Sequence, residues 1–294
     1  AVNTPQSRAD VAVYQVHFQP VLARALDGRT HLGTRLDAEL LMAHALGLSR
    51  NELLLRARDL ATPPDFEALL QRRLLHEPVA YIRGYQEFWD LTLAVTPATL
   101  IPRGDSETLI EAAIGYFRDS EPPTRILDLG TGSGALLLAA LSVFHGAEGT
   151  AIDASLDALA VAQANADRLG FGIRTRFLHR SWRDAGWADD LGHFDLILCN
   201  PPYVETDAEL AQQVRAHEPA SALFAGADGL DDYKLLIPQI SPLLATGGVE
   251  IFEIVLGQGT AATQLTMAQG FTVQPHRDLA GIIRALSLSK PVSG

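Results

Sequence analysis

The sequence predicts an α/β protein in which a mostly parallel sheet, flanked by helices, follows a small helical bundle. Two observations lead to this fold class. From Arg125 onward, short apolar runs alternate with helical stretches, which is the pattern of a parallel sheet covered on both faces. Before about residue 85, apolar residues recur at helical spacing instead. A chain of 294 residues is long enough for two such domains.

Residues 1–85 are predicted to form a helical domain that docks a partner. The first helix is indicated by apolar residues at helical spacing, ended by Gly47 and Ser49: Leu36, Leu40, Leu41, Ala45 and Leu48. Residues 52–60 and 65–75 give two further amphipathic segments. Residues 1–90 carry 10 Arg or Lys and 11 Asp or Glu, and this net charge of −1 suits a protein surface better than a phosphate backbone.

A linker or β-hairpin is predicted over residues 86–102, and the α/β domain over residues 103–294. Residues 88–95 alternate and are rich in β-forming side chains. In the α/β domain, strands are predicted at 126–129, 150–153, 174–178, 195–199, 249–255 and 282–288, and helices at 135–143, 155–169, 231–244 and 259–269. Ser155 is expected to cap the second of these helices and Gly170 to end it.

Composition excludes several classes of protein. The net charge is −12, and residues 91–294 carry −11 of it, which disfavours binding to bare DNA or RNA. No apolar run approaches the ~18–20 residues needed to cross a bilayer. The beginning of the sequence lacks the layout of a signal peptide. The single cysteine, Cys199, excludes an internal disulfide and fits a reducing compartment, so a cytoplasmic protein is expected.

The motif Asn200-Pro201-Pro202-Tyr203 follows an apolar run that reads as a buried strand. The Asn200 side chain holds both a donor and an acceptor, and prolines lack an N–H, so the nearby carbonyls are left out of regular ladders. Tyr203 offers a flat ring. This set suits a planar –NH2 group that is held by acceptors and covered by an aromatic face. A proline-rich turn without a ligand is the structural alternative.

The run Gly130-Thr131-Gly132-Ser133-Gly134 lies between a predicted strand and a predicted helix. Its glycines permit a tight turn and the close approach of a ligand. The spacing differs from that of a dinucleotide fingerprint, and no lysine follows as in a P-loop. Asp153, at the end of the next strand, lies where an acid grips ribose hydroxyls. A nucleoside with little phosphate is expected, and S-adenosylmethionine, whose cationic sulfonium suits an acidic pocket, is the candidate.

The two motifs are expected side by side, because ligands of open α/β sheets bind outside the carboxyl ends of the strands. A methyl donor would then face an acceptor –NH2, which is typical of a class I S-adenosylmethionine-dependent methyltransferase with a Rossmann-like, seven-stranded sheet. The motifs alone leave three acceptors open: adenine N6 in DNA, guanine N2 in rRNA, and glutamine amides in proteins. A binding module that has kept only the fold is a further alternative, which the intact motifs disfavour.

Further segments resemble the PrmC/HemK family, the N5-glutamine methyltransferases of peptide chain release factors. The resemblance runs from about Asp37 and rests on residues 78–84, 87–89, 95–97 and 100–103, on His217-Glu218-Pro219 with Ala222-Leu223, and on residues 228–230 and 277–281. The family usually continues Ile-Pro-Arg with Pro-Glu-Thr-Glu, whereas this chain has Gly104-Asp105-Ser106-Glu107. A sister family, which acts on a glutamine of a large-subunit ribosomal protein, shares the Asn-Pro-Pro-Tyr motif and the His-Glu-Pro stretch but lacks the Phe-Trp and Ile-Pro-Arg pattern.

The resemblance implies an enzyme that methylates class I release factors, using S-adenosylmethionine and no metal, without binding nucleic acid directly. By the same resemblance, residues 130–134 contact the donor, Asp153 its ribose and Trp182 its adenine. Asn200, Pro201, Pro202 and Tyr203 hold the acceptor, and Asn200 also borders the donor. Our mechanistic hypothesis is that the Asn200 side-chain oxygen and the Pro201 carbonyl accept the two amide hydrogens, while Tyr203 stacks on the amide plane.

Other chemistry-bearing residues receive structural interpretations. Glu107 could act on the substrate or cap a helix from Leu109, and the cap is the favoured interpretation. Cys199 is expected to fill space in a buried strand. The nine histidines show no metal-ligand spacing. The alternative function, methylation of rRNA or DNA, would require a basic patch that binds phosphates. The sequence offers one candidate cluster for it: Arg174, Arg176, Arg180 and Arg183.

Overall fold

A computed structural model of the chain describes residues 35–56 and 60–291, apart from the side chain of Arg35. In this part the helices are α1 (Arg35–Leu46), α2 (Arg50–Arg56), α3 (Phe66–Leu74), α4 (Val79–Arg83), α5 (Glu107–Tyr116), α6 (Ala135–Val143), α7 (Leu156–Arg168), α8 (Gln212–His217), α9 (Asp231–Ile240) and α10 (Gly259–Ala268). The strands are β1 (Tyr85–Phe88), β2 (Leu91–Ala94), β3 (Arg125–Leu129), β4 (Glu148–Asp153), β5 (Thr175–His179), β6 (Phe194–Cys199), β7 (Leu244–Glu253), β8 (Thr272–Arg277) and β9 (Ile283–Ser289). Residues 1–34, 57–59 and 292–294 of the predicted domains lie outside the described residues.

The described chain divides into two compact units. The first takes the residues up to Gly84 together with Ala211–His217, and the second takes Tyr85–Leu210 together with the residues from Glu218 onward. No sequence pattern had assigned the late segment Ala211–His217, which contains α8, to the helical unit.

The helical unit is held by a small apolar core and a buried arginine. Its buried apolar residues come from all four of its first helices: Ala38, Leu41, Met42, Ala43, Leu53, Phe66 and Ile82. The Arg73 guanidinium donates to Asp37 Oδ2 at 2.9 Å and to Gln213 Oε1, on α8, at 2.9 Å. As predicted, Gly47 breaks the first helix: α1 ends at Leu46, and the φ of 65° at Gly47 is the left-handed conformation common after helices.

The predicted hairpin is formed by β1 and β2, which pair from Tyr85↔Ala94 to Phe88↔Leu91. Its two-residue turn places Trp89 at φ 54°, in the left-handed region that bulky residues avoid. Glu107, predicted to cap the following helix, instead accepts a hydrogen bond at Oε1 from the Trp89 amide at 2.8 Å. That prediction is corrected: Glu107 is the first residue of α5, and its carboxylate holds the strained turn.

The second unit is built on a seven-stranded sheet of order β5-β4-β3-β6-β7-β9-β8. The first five strands in this order are parallel, while β9 runs antiparallel to both β7 and β8. Helices cover both faces, with α5, α6 and α7 packed in one core cluster and α9 and α10 in the other. The predicted α/β class is therefore confirmed. No helix in the described ranges has both the length and the apolar character that crossing a membrane requires.

The predicted strand at 282–288 exists as β9, but it is not the edge of the sheet. The edge is β8, which was not predicted, since most of its residues are exposed and Pro275 interrupts the pattern. Proline is tolerated in edge strands because no neighbour there requires its N–H. Pairing with β9, and not local sequence, makes this segment a strand.

Two predicted boundaries between residues 231 and 255 are wrong. The helix ends at Ile240, short of the predicted Leu244, because Pro242 starts a short 3₁₀ turn, Ser241–Leu243. The strand that follows begins at Leu244, five residues before the predicted start at Val249. Gly247 and Gly248, in the first half of this strand, interrupt the apolar pattern from which the start of the strand was predicted. A side chain at Gly248 would come within 2.8 Å of the Phe194 carbonyl oxygen, where the β6–β7 register shifts.

Candidate active site

The topology brings the two sequence motifs together. The chain order in the sheet reverses between β3 and β6, and ligands of open α/β sheets bind at such a switch point. Leu129, the last residue of β3, pairs with Cys199, the last residue of β6. Gly130 and Asn200 therefore emerge next to each other from the carboxyl edge of the sheet. Both line one cavity of about 340 Å³, a size suited to a small-molecule ligand.

The glycine-rich loop is shaped by its backbone. Gly130, Gly132 and Gly134 have φ of 73°, 55° and 85°, which are left-handed values that other residues rarely adopt. A Cβ on Gly130 would lie 3.0 Å from Cη2 of Trp182, and one on Gly134 would lie 3.4 Å from the Ala162 Cβ on α7. The first glycine thus brings the loop close to the Trp182 ring, and the third allows α6 and α7 to approach each other.

Two buried acids shape the same loop. Asp128 Oδ2 accepts a hydrogen bond from the Thr131 hydroxyl at 2.6 Å, and complete burial raises the pKa of Asp128 to about 7. Asp153 accepts the Gly132 amide at Oδ2 and the Ser155 amide at Oδ1, both at 2.9 Å. Burial raises the pKa of Asp153, although these amides oppose the shift. Asp153 lines the cavity where its ribose contact was predicted, and that role stays a prediction.

Trp182 also lines the cavity and is fixed by an acid that the sequence analysis did not single out. Its Nε1 donates to Asp232 Oδ1 at 2.8 Å, and the Arg183 guanidinium donates to the same oxygen at 2.7 Å. Asp232 is fully buried, and its Oδ2 has no partner in the described structure. The only signal in the sequence was the Asp231-Asp232 pair in the first turn of a predicted helix, which does not reveal which acid turns inward.

Asn165 is a second residue that the sequence analysis missed. It is fully buried on α7, where its Nδ2 donates to the carbonyls of Ala94, at 3.0 Å, and Ser133, at 2.9 Å. Its Oδ1 accepts the Ala94 amide at 2.7 Å. One side chain therefore ties the β1–β2 hairpin to the glycine-rich loop. An Asn within a helical pattern gives no sequence signal for this role.

The residues of the Asn-Pro-Pro-Tyr motif face different surroundings in the structure. Asn200 and Pro202 line the cavity, whereas Pro201 is buried and Tyr203 turns its hydroxyl towards Glu253 Oε1, at 3.2 Å. Asn200 Nδ2 donates to the Ser106 hydroxyl at 3.4 Å, and Asn200 Oδ1 is buried without a partner. The motif thus presents one unpartnered acceptor at the edge of the cavity. The predicted stacking of Tyr203 on an amide stays a prediction.

The remaining candidate residues have structural contacts. Three arginines of the basic cluster are engaged by the protein: Arg174 with the carbonyls that follow α6, Arg180 with Asp190, and Arg183 with Asp232. Cys199 is fully buried, and burial raises the pKa of its thiol, as expected for a space-filling side chain. Among the described residues, no group of three His, Cys, Asp or Glu side chains is placed to hold a metal ion.

Comparison with known proteins agrees with this geometry. Residues 23–84 match a family model described as the PrmC N-terminal domain, and residues 120–255 match a methyltransferase domain. Release factor glutamine methyltransferases of Bradyrhizobium diazoefficiens and Escherichia coli are 43% and 39% identical to this chain, covering 87% and 83% of it and 88% of each relative. The solved catalytic domain of hMettl16, in complex with an RNA hairpin, covers 77% of this chain and 81% of its own with a TM-score of 0.56, but at 14% identity it shows the fold alone.

The sheet order, the glycine loop at its switch point and the matched domain define an S-adenosylmethionine-dependent methyltransferase. The degree and extent of identity to the curated relatives go further. The chain belongs to the release factor glutamine methyltransferase family.

Proposed function

We propose that this protein transfers a methyl group from S-adenosylmethionine to the side-chain amide nitrogen, N5, of the glutamine in the Gly-Gly-Gln motif of class I release factors, the proteins of translation termination. One observation carries the proposal: a chain of this family presents the unpartnered acceptor Asn200 Oδ1 next to its donor loop. A cytoplasmic location, in the compartment where termination occurs, goes with this function.

The residues of the cavity fit the donor. Gly130 lets the loop approach the flat Trp182 ring, which we assign to the adenine, and Asp153 borders the cavity for the ribose. The buried hydroxyl of Ser133 has no partner in the described structure and is available to a ligand. We assign residues 130–134 to the remaining donor contacts, with Asn200 at the border of donor and acceptor. When bound, S-adenosylmethionine supplies a methyl group attached to a positively charged sulfur.

The acceptor side must activate a weak nucleophile, because the lone pair of an amide nitrogen is delocalised into its carbonyl. We assign Asn200 Oδ1 and the Pro201 carbonyl to accept the two N–H groups of the substrate amide. As the nitrogen forms its bond to the methyl carbon and the carbon–sulfur bond breaks, the nitrogen becomes more positive, and acceptors aimed at its hydrogens stabilise that charge. Loss of one N–H proton to solvent leaves N5-methylglutamine and S-adenosylhomocysteine. Tyr203 is assigned to cover the amide plane.

The electrostatics favour a protein substrate over a nucleic acid. Of the four clustered arginines, Arg174, Arg180 and Arg183 are bound to carbonyls or carboxylates of the protein itself. Residues 91–294 carry a net charge of −11, which repels a phosphate backbone. We therefore propose no direct binding of nucleic acid.

The test is transfer of a tritiated methyl group from S-adenosylmethionine to purified release factor, compared with rRNA, DNA and the ribosomal-protein substrate of the sister family. We expect label on the release factor glutamine alone, identified by mass spectrometry. The variant Asn200→Ala should lose ~10²–10³-fold in kcat, as when a single transition-state contact is removed, while still binding S-adenosylhomocysteine. Preferential labelling of rRNA, DNA or the ribosomal protein, or normal turnover by Asn200→Ala, contradicts the proposal.

A further inference from the structure

A buried carboxyl group lies behind the acceptor motif. Glu253 is the last residue of β7, and β7 pairs with β6 through Phe252↔Cys199, so Glu253 adjoins Asn200 across the sheet. It is 3% exposed, and Tyr233 on α9 fixes its backbone by donating to the Glu253 carbonyl at 2.6 Å.

Glu253 lies close to the hydroxyl group that contacts Asn200. The Tyr203 hydroxyl donates to Glu253 Oε1 at 3.2 Å. Glu253 Oε2 is buried and makes no hydrogen bond in the described structure, and the Ser106 hydroxyl lies close enough to the carboxyl to lower its pKa. Ser106 in turn accepts a hydrogen bond from Asn200 Nδ2 at 3.4 Å. Two side chains thus lie between the carboxyl and the cavity, and one of them directly contacts the Asn200 amide.

Ser106 is not explained by its position at the start of a helix. It is the N-cap residue of α5, yet its side chain makes no capping hydrogen bond. Its hydroxyl is therefore free to serve Asn200 and Glu253. Ser106 lines the cavity but is only 4% exposed, so its hydroxyl is largely shielded from bulk water.

The loop that carries Ser106 is anchored on both sides. Asp105 pairs with Arg284 of β9 at 2.9 Å. Upstream, Glu218 forms an ion pair with Arg103 and accepts the Ile101 amide at 3.2 Å. These contacts hold the hydroxyl in place against both of its neighbours.

The number of protons on this chain sets the orientation of the Asn200 amide. A hydroxyl has one proton to donate, and an ionised carboxylate can only accept. When Ser106 donates to ionised Glu253, it can only accept from Asn200, which turns Nδ2 towards Ser106 and leaves Oδ1 for the cavity. A protonated Glu253 could donate to Ser106 and release the serine proton towards Asn200. The opposite orientation would then be favoured, and an NH2 group would face the substrate NH2.

We propose that Ser106 and Glu253 are positioning residues, which fix the Asn200 carboxamide so that its oxygen faces the amide nitrogen of the substrate glutamine. This inference rests on the proposed function, because it assigns Asn200 Oδ1 to that substrate. It adds two residues to the site that act through Asn200 and do not touch the reacting atoms.

The experiment compares Ser106→Ala, Ser106→Thr and Glu253→Gln with wild type. Ser142→Ala is the control, since it removes a half-buried serine hydroxyl that contacts only its own helix. For each variant we measure kcat and KM for release factor and, by calorimetry, the dissociation constant of S-adenosylhomocysteine. We expect Ser106→Ala to lower kcat ~10–100-fold through misplacement of Asn200, with donor-product affinity within about twofold. Ser106→Thr, which restores the hydroxyl and is the family's usual residue, should recover kcat to within about threefold.

The pH profile separates positioning from a structural role. Burial raises the pKa of Glu253 to about 7, so kcat of wild type should rise as the pH passes through about 7. The groups that face Glu253 are Tyr203, Tyr233 and Cys199, whose pKa values burial raises, and Asp105 and Arg284, whose charges oppose each other. Removal of the ionisable group in Glu253→Gln should lower kcat and flatten this rise, whereas Ser142→Ala should keep the wild-type curve.

The outcomes distinguish this inference from the function it rests on. A wild-type protein that transfers no methyl group to release factor overturns the proposed function. If the wild type is active, the proposed function stands, and three results contradict the positioning role alone. Ser106→Ala could keep kcat within twofold of wild type, or its loss of kcat could be matched by an equal loss of affinity for S-adenosylhomocysteine. The third such result is a Ser106→Thr variant that is as slow as Ser106→Ala. An unchanged pH profile in Glu253→Gln removes Glu253 from the assignment.

Discussion

Gly130 illustrates how the absence of a side chain at one position can determine the shape of a candidate binding site. Its φ of 73° and its contact with Trp182 impose two independent demands for glycine, whereas Gly132 has a similar φ but open space around its Cα. The sequence alone predicted a glycine turn, and it could not rank the three glycines. Their difference depends on an aromatic ring more than fifty residues away in the chain.

We expect Gly130→Ala to bind S-adenosylhomocysteine at least ~10-fold more weakly than Gly132→Ala. Both variants bear the left-handed penalty of about 1–2 kcal/mol, but only the first also drives a methyl group to 3.0 Å from Trp182. Isothermal calorimetry on the two variants checks this. Equal affinities would mean that the ring moves aside freely.

The residues that hold the site in place were the least visible in the sequence. The motif residues Asn200 and Asp153 could be found because their types and spacing point to chemistry. Asp232 and Asn165 could not, since their roles exist only after α9 and α7 have packed against the sheet. In the sequence, a buried polar side chain within an amphipathic helix cannot be distinguished from a solvent-exposed one until its partners are known.

At the level of secondary structure, α7 connects the hairpin to the glycine-rich loop through Asn165. We expect Asn165→Ala to lower the free energy of unfolding by about 2–4 kcal/mol, because the Ala94 amide and the carbonyls of Ala94 and Ser133 lose their partner. Urea unfolding measures this. The control is Gln163→Ala, whose exposed side chain contacts only Asp167 of the same helix, and which should change stability by less than about 0.5 kcal/mol.

The short turn Gly104–Ser106 departs from the proline usual in the family without needing glycine. Gly104 is its first residue, a side chain there meets nothing within 4 Å, and Arg103 has the extended φ and ψ, −105° and 143°, that a residue before proline adopts. We expect Gly104→Pro to raise the free energy of unfolding by about 0.4–1 kcal/mol by restricting the unfolded chain.

Gly115→Pro provides the matched control for that substitution. Gly115 also has open space around its Cα but lies inside α5, where proline breaks the helix at about 3 kcal/mol or more. Thermal melts of both variants test the pair. Destabilisation by Gly104→Pro would show that the glycine is required in this turn.

At the scale of the whole molecule, the fold could be predicted where parallel strands and helices alternate along the chain. Strand–helix alternation from Arg125 to Cys199 gave the elements in order, because each strand is a short apolar run and each helix has its own start or stop signal. The antiparallel end was not predictable in the same way. The position of β8 outside β9 and the return of Ala211–His217 to the helical unit depend on long-range pairing. No local pattern encodes such contacts.

Stability of the ligand-free protein should depend on pH through its buried acids. Burial raises the pKa values of Asp128 and Glu253 to about 7 from 3.8 and 4.5, so between about pH 4 and 7 unfolding releases their protons and stability falls as pH rises. Above pH 7 the loss is complete. His44 and His276, whose pKa values are lowered by burial, oppose this trend below about pH 6.5.

A difference measurement isolates the acids from the histidines. We expect the unfolding free energy of wild type minus that of Asp128→Asn to fall by roughly 3 kcal/mol from pH 4 to pH 7.5, at about 1.4 kcal/mol per pKa unit. Denaturant titrations at several pH values give the curve. A flat difference would mean that Asp128 titrates alike in the folded and unfolded chain.

The position of Trp182 beside Gly130 also means that intrinsic tryptophan fluorescence can report what the cavity holds. Of its three tryptophans, Trp182 alone lines the cavity, whereas Trp187 is buried against Gln239 and Trp89 lies in the hairpin turn. Any nucleoside that enters must change the surroundings of that indole, so fluorescence emission can follow occupancy in real time without a label. Replacement of Trp182 by phenylalanine would silence the signal while the other two indoles continue to emit.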